Sequence, residues 1–443
     1  MLRSREHGEL FVFLLALCST AALAQTQTPI LLVSDHLLDV RSGKLLDHQA
    51  ILETHGKIEK IAPLAEMHPP PDTQRIDFPP GTTLIPGLVD AHTHLLQSFD
   101  PKLGGDDPAQ VLEDAEQSTA RRALLGAKNA REDLLAGITT VRDVGNSGLN
   151  GDVALKYAIR KGWVQGPRMV VSTRALAPIG GQFPRLVPEA KGLIDLEYAV
   201  ITGPEQARMA VRQALYDGAD CIKVIVDTDF TTLDVDEIRA IVDETHRFGK
   251  KVAAHATSEP AISTAISGGV DSIEHGYHAS DASLKLMAER HVYLTPTDVP
   301  IDSEVFADRS GPRQNLIDFT ENNKRRLRRA VALGVPIAFG SDEYDEVAGK
   351  TRGQASLETL TSYVRSGMSP IQIVQSATIN AATLLGLEKE IGSLEVGKSA
   401  DIVAVAGNPL SDPLLLQRIG FVMKTGEILR NDMQFASQGA PAL

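Results

Sequence analysis

The sequence predicts an α/β chain: a (β/α)8 TIM barrel with a small β-sandwich domain formed from the N- and C-terminal segments. Three observations carry this. Eight short, nearly all-apolar runs recur through the middle of the chain, helical stretches fill most gaps between them, and the two ends share a separate texture of short strands and tight turns. The boundaries follow from these changes: 25–85 plus 393–443 for the small domain and 86–392 for the barrel.

Residues 1–24 stand apart. Leu10–Cys18 is an apolar run behind Arg3 and Arg5, and Ala22 and Ala24 suit cleavage after Ala24, so a signal peptide and a periplasmic or secreted protein are expected. The run is too short to span a bilayer, and no later segment reaches that length. A lipid anchor on Cys18 is the alternative, opposed by Leu17 where a small residue is wanted. Once Cys18 is removed, Cys221 is alone and no internal disulfide can form.

The following segment, ILLVSDHLLDVRSGKLLDHQAILETHGKIEKIAP, alternates apolar runs with turns at Arg41-Ser42-Gly43 and His55-Gly56-Lys57. GSLEVGKSADIVAVAGNP and IGFVMKTGEILRN have the same character near the other end, and termini that lie close can share one sheet domain. The barrel strands are expected at 84–92, 139–145, 168–176, 221–226, 251–257, 271–276, 292–298 and 336–343. Stretches 120–137, 204–220 and 235–250 carry apolar residues at helical spacing and close near a glycine.

In such a barrel the C-terminal strand ends build the site. The first run finishes Asp90-Ala91-His92-Thr93-His94, and a strand's period of two turns both imidazoles to one side. Alone the pair is weak evidence, but Lys223, His255, His275 and Asp342 fall on the ends of the fourth, fifth, sixth and eighth runs. Imidazole and carboxylate are ligands that zinc accepts. An ammonium at Lys223 would be costly beside metal ions; a lysine amine that adds CO2 becomes a carbamate, with charge −1 and two oxygens able to bridge two cations. The plainer alternative is a lysine whose head snorkels out of the barrel.

The residues PGLVDAHTH, IKV, AAHA, IEHG and FGSD, closing with INAATLLGLEKEIGSLEVGKSADIVAV, resemble the amidohydrolase superfamily over about 29–435. The nearest subgroup is the imidazolonepropionase-related binuclear hydrolases, which include dipeptidases and carboxypeptidases acting on Xaa-Pro or Xaa-Arg amides. The resemblance implies two divalent ions, zinc by preference. His92, His94 and Asp342 would hold the more buried one, His255 and His275 the more exposed one, with carboxylated Lys223 bridging them. It implies hydrolysis of a small-molecule amide by a metal-activated water, with Asp342 passing the proton to the leaving amine. Lys223 argues against imidazolonepropionase itself, which resembles one-metal members.

Two departures put the substrate in question. Gly180-Gly181-Gln182 stands where such dipeptidases tend to have Gly-Gly-His, and VIVDTDFTTLD leads directly to the next helix where they tend to have a longer loop. Gln182 and Arg185 are candidates for orienting a polar or carboxylate group, and His278 for an oxyanion donor or substrate contact; each could equally be a loop residue.

Other classes fit less well. A one-metal deaminase needs no Lys223 and tends to carry Glu three residues after the fifth-strand histidine, where this chain has Ser258 and, one later, Glu259. A lactonase could use the same two-metal centre. A binding protein on a dead barrel predicts loss of a site position, and none is lost. The net charge of −13 opposes nucleic acid and anionic membranes as partners. Arg325, Arg326, Arg328 and Arg329 suit a solvated helix face, Trp163 and Met169 suit a core, and homo-oligomerisation is left open.

Overall fold

The structure, a computed structural model, describes residues 28–98, 106–303 and 313–433. The expected signal peptide, with Cys18 and Ala24, lies outside the described residues, as does the chain beyond 433.

The middle of the chain is an α/β fold of parallel strands alternating with helices. Leu88–Thr93, Ile138–Asp143 and Arg168–Val171 form one parallel sheet. A second parallel sheet runs in the order Tyr198–Val200, Ala175–Ala177, Cys221–Ile225, Lys251–Ala256, Ser272–His275 and Tyr293–Thr295. Alternation decides what each strand presents. Ile222, Val224, Val252, Ala254 and Ile273 join the main apolar cluster with the helices, each large side chain contributing about 1.5–3 kcal/mol on burial. The intervening Lys223, His255, Ser272 and Glu274 are left on the other face.

The helices begin and end where their residues dictate. In Val235–Arg247 the Asp234 carboxylate accepts from the N–H groups of Asp236 and Glu237, while Glu237 returns a bond to the Asp234 N–H. Ile238, Ile241, Val242 and Thr245 form its buried stripe. Helix Pro204–Asp217 stops at Gly218, whose φ of 111° a side chain would resist.

The expected ring of eight strands differs in four places. The run 84–92 divides at Gly87: Thr82–Pro86 pairs with Ile402–Ala406, and Leu88–Thr93 joins the parallel strands. A side chain at Gly87 would collide with Thr139, so this crossing needs glycine. The run 168–176 breaks at Thr173, held at φ 61°, and the ladder divides into two sheets there. Tyr198–Val200 is an additional edge strand. The eighth run is not a full strand but a bonded segment between both sheets. Leu294 donates to the Pro336 carbonyl (2.9 Å), Ala91 to that of Phe339 (2.8 Å), and Asp342 to that of His92 (2.8 Å).

The two ends of the chain share a sheet: Ile402–Ala406 lies between Phe421–Lys424 and Thr82–Pro86, followed by His36–Asp39. A separate four-stranded sheet is built from Lys57–Pro63, Gln49–Thr54, Ile30–Val33 and Gln74–Asp77. Leu32, Ile51 and Ile58 from the latter meet Leu84, Ile402 and Phe421 from the former in one apolar cluster. Trp163 is not core: it is 70% exposed, with its ring 5.4 Å from that of Tyr157, whereas Met169 is buried.

Gly340 links this packing to the strand ends. A β-carbon there would strike the Thr295 methyl and come within 2.7 Å of His92 Cβ. Gly340→Ala is therefore expected to lower stability by about 1–3 kcal/mol through overpacking. Chemical denaturation checks the loss, and a wild-type midpoint would show that His92 can yield.

Candidate active site

Asp90 fixes the start of the site. Its Oδ1 accepts from the N–H groups of His92 (3.0 Å) and Ser341 (3.1 Å), stapling the first strand to the segment that carries Asp342. Arg352, from helix Arg352–Arg365, donates to the carbonyls of His94 and Gln97 and to Thr93 Oγ1, each at 3.2 Å. The HTH segment is thus held from both sides by buried polar side chains.

His92 and His94 present the same atom to the same point. Their Nε2 atoms lie 3.3 and 3.2 Å from Asp342 Oδ1. Their other nitrogens are occupied: His92 Nδ1 lies 2.7 Å from Glu274 Oε2, and His94 Nδ1 lies 3.0 Å from the Gly145 carbonyl. One ligand atom from each of His92, His94 and Asp342 lies within 4.8 Å of the others, a group able to hold a metal ion. Lys223 Nζ lies 3.4 Å from His92 Nε2. His275 closes on them, with Nδ1 3.6 Å from Asp342 Oδ2 and its ring 4.6 Å from that of His255. The six residues expected from sequence therefore converge.

Two of them occupy backbone conformations that favour glycine: His275 at φ 67° and Asp342 at φ 54°. A left-handed residue costs about 1–2 kcal/mol. For His275 the turn out of the strand has a visible result, since Glu274 and His275 both lie at the site although neighbours on a strand should face apart.

Burial tunes the protonation states. Desolvation pushes Lys223 down to about 8 and His255 down to about 3, and it holds His275 well below the ordinary imidazole range. Desolvation alone would raise Asp342, but the neighbouring His92 and His94 outweigh it and hold the carboxyl well below its usual range. His255 and His275 are thus neutral imidazoles and Asp342 an ionised carboxylate, forms that bind a divalent cation.

The surrounding candidates sort differently. Gln182 and His278 line a cavity of about 510 Å³ with Asp227, Phe230, His255 and Thr257. Gln182 Nε2 is 3.4 Å from His255 Nε2, and His278 is exposed at the mouth. Arg185 does not line this cavity; its guanidinium lies 4.8 Å from the centre of the Phe230 ring, which does. Glu259 is turned away, accepting from Ser280 and Ser283 at the start of the next helix. The basic run is not one solvated face. Arg326 is buried against Asp298 (2.7 Å), while Arg325, Arg328 and Arg329 are exposed beside His278.

Sequence reasoning passed over Asp90, Arg142, Glu274 and Arg352. Arg142 and Glu274 are charged residues inside expected barrel strands, and that was the available signal.

Against known proteins, residues 83–430 match the model of the amidohydrolase family. Ochratoxinase from Aspergillus niger is 28% identical over 384 residues, covering 78% of this chain and 75% of that protein. Imidazolonepropionase from Symbiobacterium thermophilum is 30% identical over 393 residues, covering 83% of this chain and 86% of that one. The crystal structure of a Xaa-Pro dipeptidase with bound methionine in the active site superposes with a TM-score of 0.77 at 28% identity, covering 91% of this chain and all of that one.

The histidine environment predicts a pH response. His255 stays neutral when folded down to about 3, whereas an unfolded histidine titrates near about 6.5. Between these values the unfolded chain binds more protons, so metal-free protein should lose stability as pH falls from 6.5 towards 3. Denaturant midpoints across that range check this; His255→Gln should flatten the slope, and an unchanged slope would count against a buried neutral imidazole.

Proposed function

Since this chain belongs to the amidohydrolase family and is a hydrolase acting on carbon–nitrogen amide bonds, we propose that it cleaves a dipeptide or N-acyl amino acid-like small molecule with two divalent metal ions. The observation that carries this is the convergence of two imidazole Nε2 atoms on one Asp342 oxygen, with a buried lysine amine 3.4 Å from the nearer ring. His92, His94 and Asp342 would hold one ion and His255 and His275 the other, with Lys223 as a carbamate between them. Zinc suits this donor set. When bound, the ions would acidify a water and polarise the substrate carbonyl.

The chain's own groups then have defined tasks. Asp342, ionised and within hydrogen-bond reach of the site histidines, takes the proton of the attacking water and delivers it to the leaving nitrogen. Protonation of that nitrogen lets the C–N bond break without expelling an amide anion. Gln182 and His278 face the cavity and orient the polar part of the substrate, His278 as donor to developing oxygen charge. Arg185 stands outside the cavity, 4.8 Å from the centre of the Phe230 ring, and steadies that lining residue.

The same proposal takes the two parallel sheets and segment 336–342 as one (β/α)8 barrel over 86–392. The terminal sheets form a β-sandwich from 25–85 and 393–443. Export with cleavage after Ala24 belongs to it, supported by the apolar run and its small residues. Among the described residues no helix is long and apolar enough to cross a membrane.

The test is a panel of N-acyl amino acids, dipeptides with varied C-terminal residues, and lactones. Amide cleavage should dominate, and Asp342→Asn should lower kcat by about 10²–10⁴-fold, the range of acid–base catalysis. Cleavage of lactones alone would reject the amide assignment.

A further inference from the structure

We propose that Glu274 is a positioning residue: its carboxylate, braced by Arg142 and Ser272, fixes the His92 ring so that Nε2 faces the metal position formed with His94 and Asp342. The inference rests on the two-ion proposal only for the presence of an ion at His92.

The geometry is specific to this histidine. Glu274 is wholly buried, and both oxygens are engaged: Oε2 with His92 Nδ1 at 2.7 Å, Oε1 with Arg142 Nη2 at 2.8 Å and with the Ser272 hydroxyl. Arg142 uses its Nε to reach the Ala91 carbonyl at 2.5 Å, the residue immediately before His92. One buried guanidinium therefore holds both the carboxylate behind the ring and the backbone beneath it. Three strands contribute, Leu88–Thr93, Ile138–Asp143 and Ser272–His275, so the ring cannot turn unless the layer moves.

The other site histidines have weaker partners. His94 Nδ1 meets a carbonyl, His275 Nδ1 meets the Thr297 hydroxyl at 2.8 Å, and both ring nitrogens of His255 lie 3.4–3.5 Å from the Gln182 amide nitrogen. Only an acceptor stands opposite His92 Nδ1. The contact of Nδ1 with Glu274, 2.7 Å against 3.3 Å from Nε2 to Asp342, places the proton on Nδ1 and turns the Nε2 lone pair to the metal position, and the negative charge behind the ring makes that nitrogen a stronger donor. Arg142 keeps the carboxylate charged in a place where an isolated one would not be tolerated. Glu274 thus favours the ion at His92, His94 and Asp342 over the ion at His255 and His275.

The experiment measures zinc transfer from zinc-loaded full-length protein to a chromogenic chelator, for wild type and Glu274→Gln. Glutamine keeps an acceptor oxygen but removes the charge. One zinc should bind about 10- to 100-fold more weakly, the range for loss of such outer partners, while the second is retained as in wild type. Arg142→Met/Glu274→Gln, which leaves no uncompensated guanidinium, should show the same selective loss in a protein that still unfolds cooperatively. Unchanged affinity for both ions, or equal weakening of both, would overturn the proposal, as would recovery of full affinity in the double variant. If wild type holds a single zinc, the two-ion proposal fails separately; weakening of that zinc in both variants still supports Glu274, and unchanged affinity overturns it.

Discussion

Lys223 and His275 are buried and His255 and Asp342 half-buried at the strand ends, and this withdrawal from water sets the chemistry of the site. Desolvation keeps imidazoles neutral and brings a lysine down to about 8, within reach of deprotonation near neutral pH. Such a site could hold a metal ion at His92, His94 and Asp342. The same burial raises the cost of any misplaced charge, so each ionised group needs a fixed partner.

The partners come from behind. Asp90 ties the first strand to the Asp342 segment, Arg352 holds the carbonyls after His94, and Arg142 with Glu274 forms a charged layer under His92. These groups reach no substrate; they hold ring orientations and backbone turns that the strands alone would not adopt. The left-handed backbone at His275 and Asp342 shows that this support carries strain. Gly340 belongs to the same arrangement, because the close pass of its segment over His92 leaves no space for a side chain.

Much of this was legible in the sequence, for physical reasons. Alternating strands and glycine-stopped helices leave periodic patterns, and an imidazole or lysine ending an apolar run is conspicuous, so His92, His94, Lys223, His255, His275 and Asp342 could be named in advance. Arg142 and Glu274 could not be assigned roles, since their meaning lies in one contact across strands 132 residues apart. The break at Thr173 and the crossing at Gly87 were passed over, although Ser172-Thr173-Arg174 and Pro86-Gly87 interrupt the apolar runs there. Arg326 misled for a related reason: four arginines in one run suggest solvent, yet helix periodicity buries one of them against Asp298. Trp163 misled in the opposite direction, its size suggesting core although it meets Tyr157 edge-to-face at the surface.

The central claim is that the buried lysine serves a pair of ions rather than the fold. Counting zinc per chain, by elemental analysis of wild-type protein and Lys223→Ala prepared identically, tests it most directly. Two ions in the wild type and at most one in a folded Lys223→Ala is the expected result. Equal counts in both proteins would contradict it and leave Lys223 as a buried amine without a metal to hold.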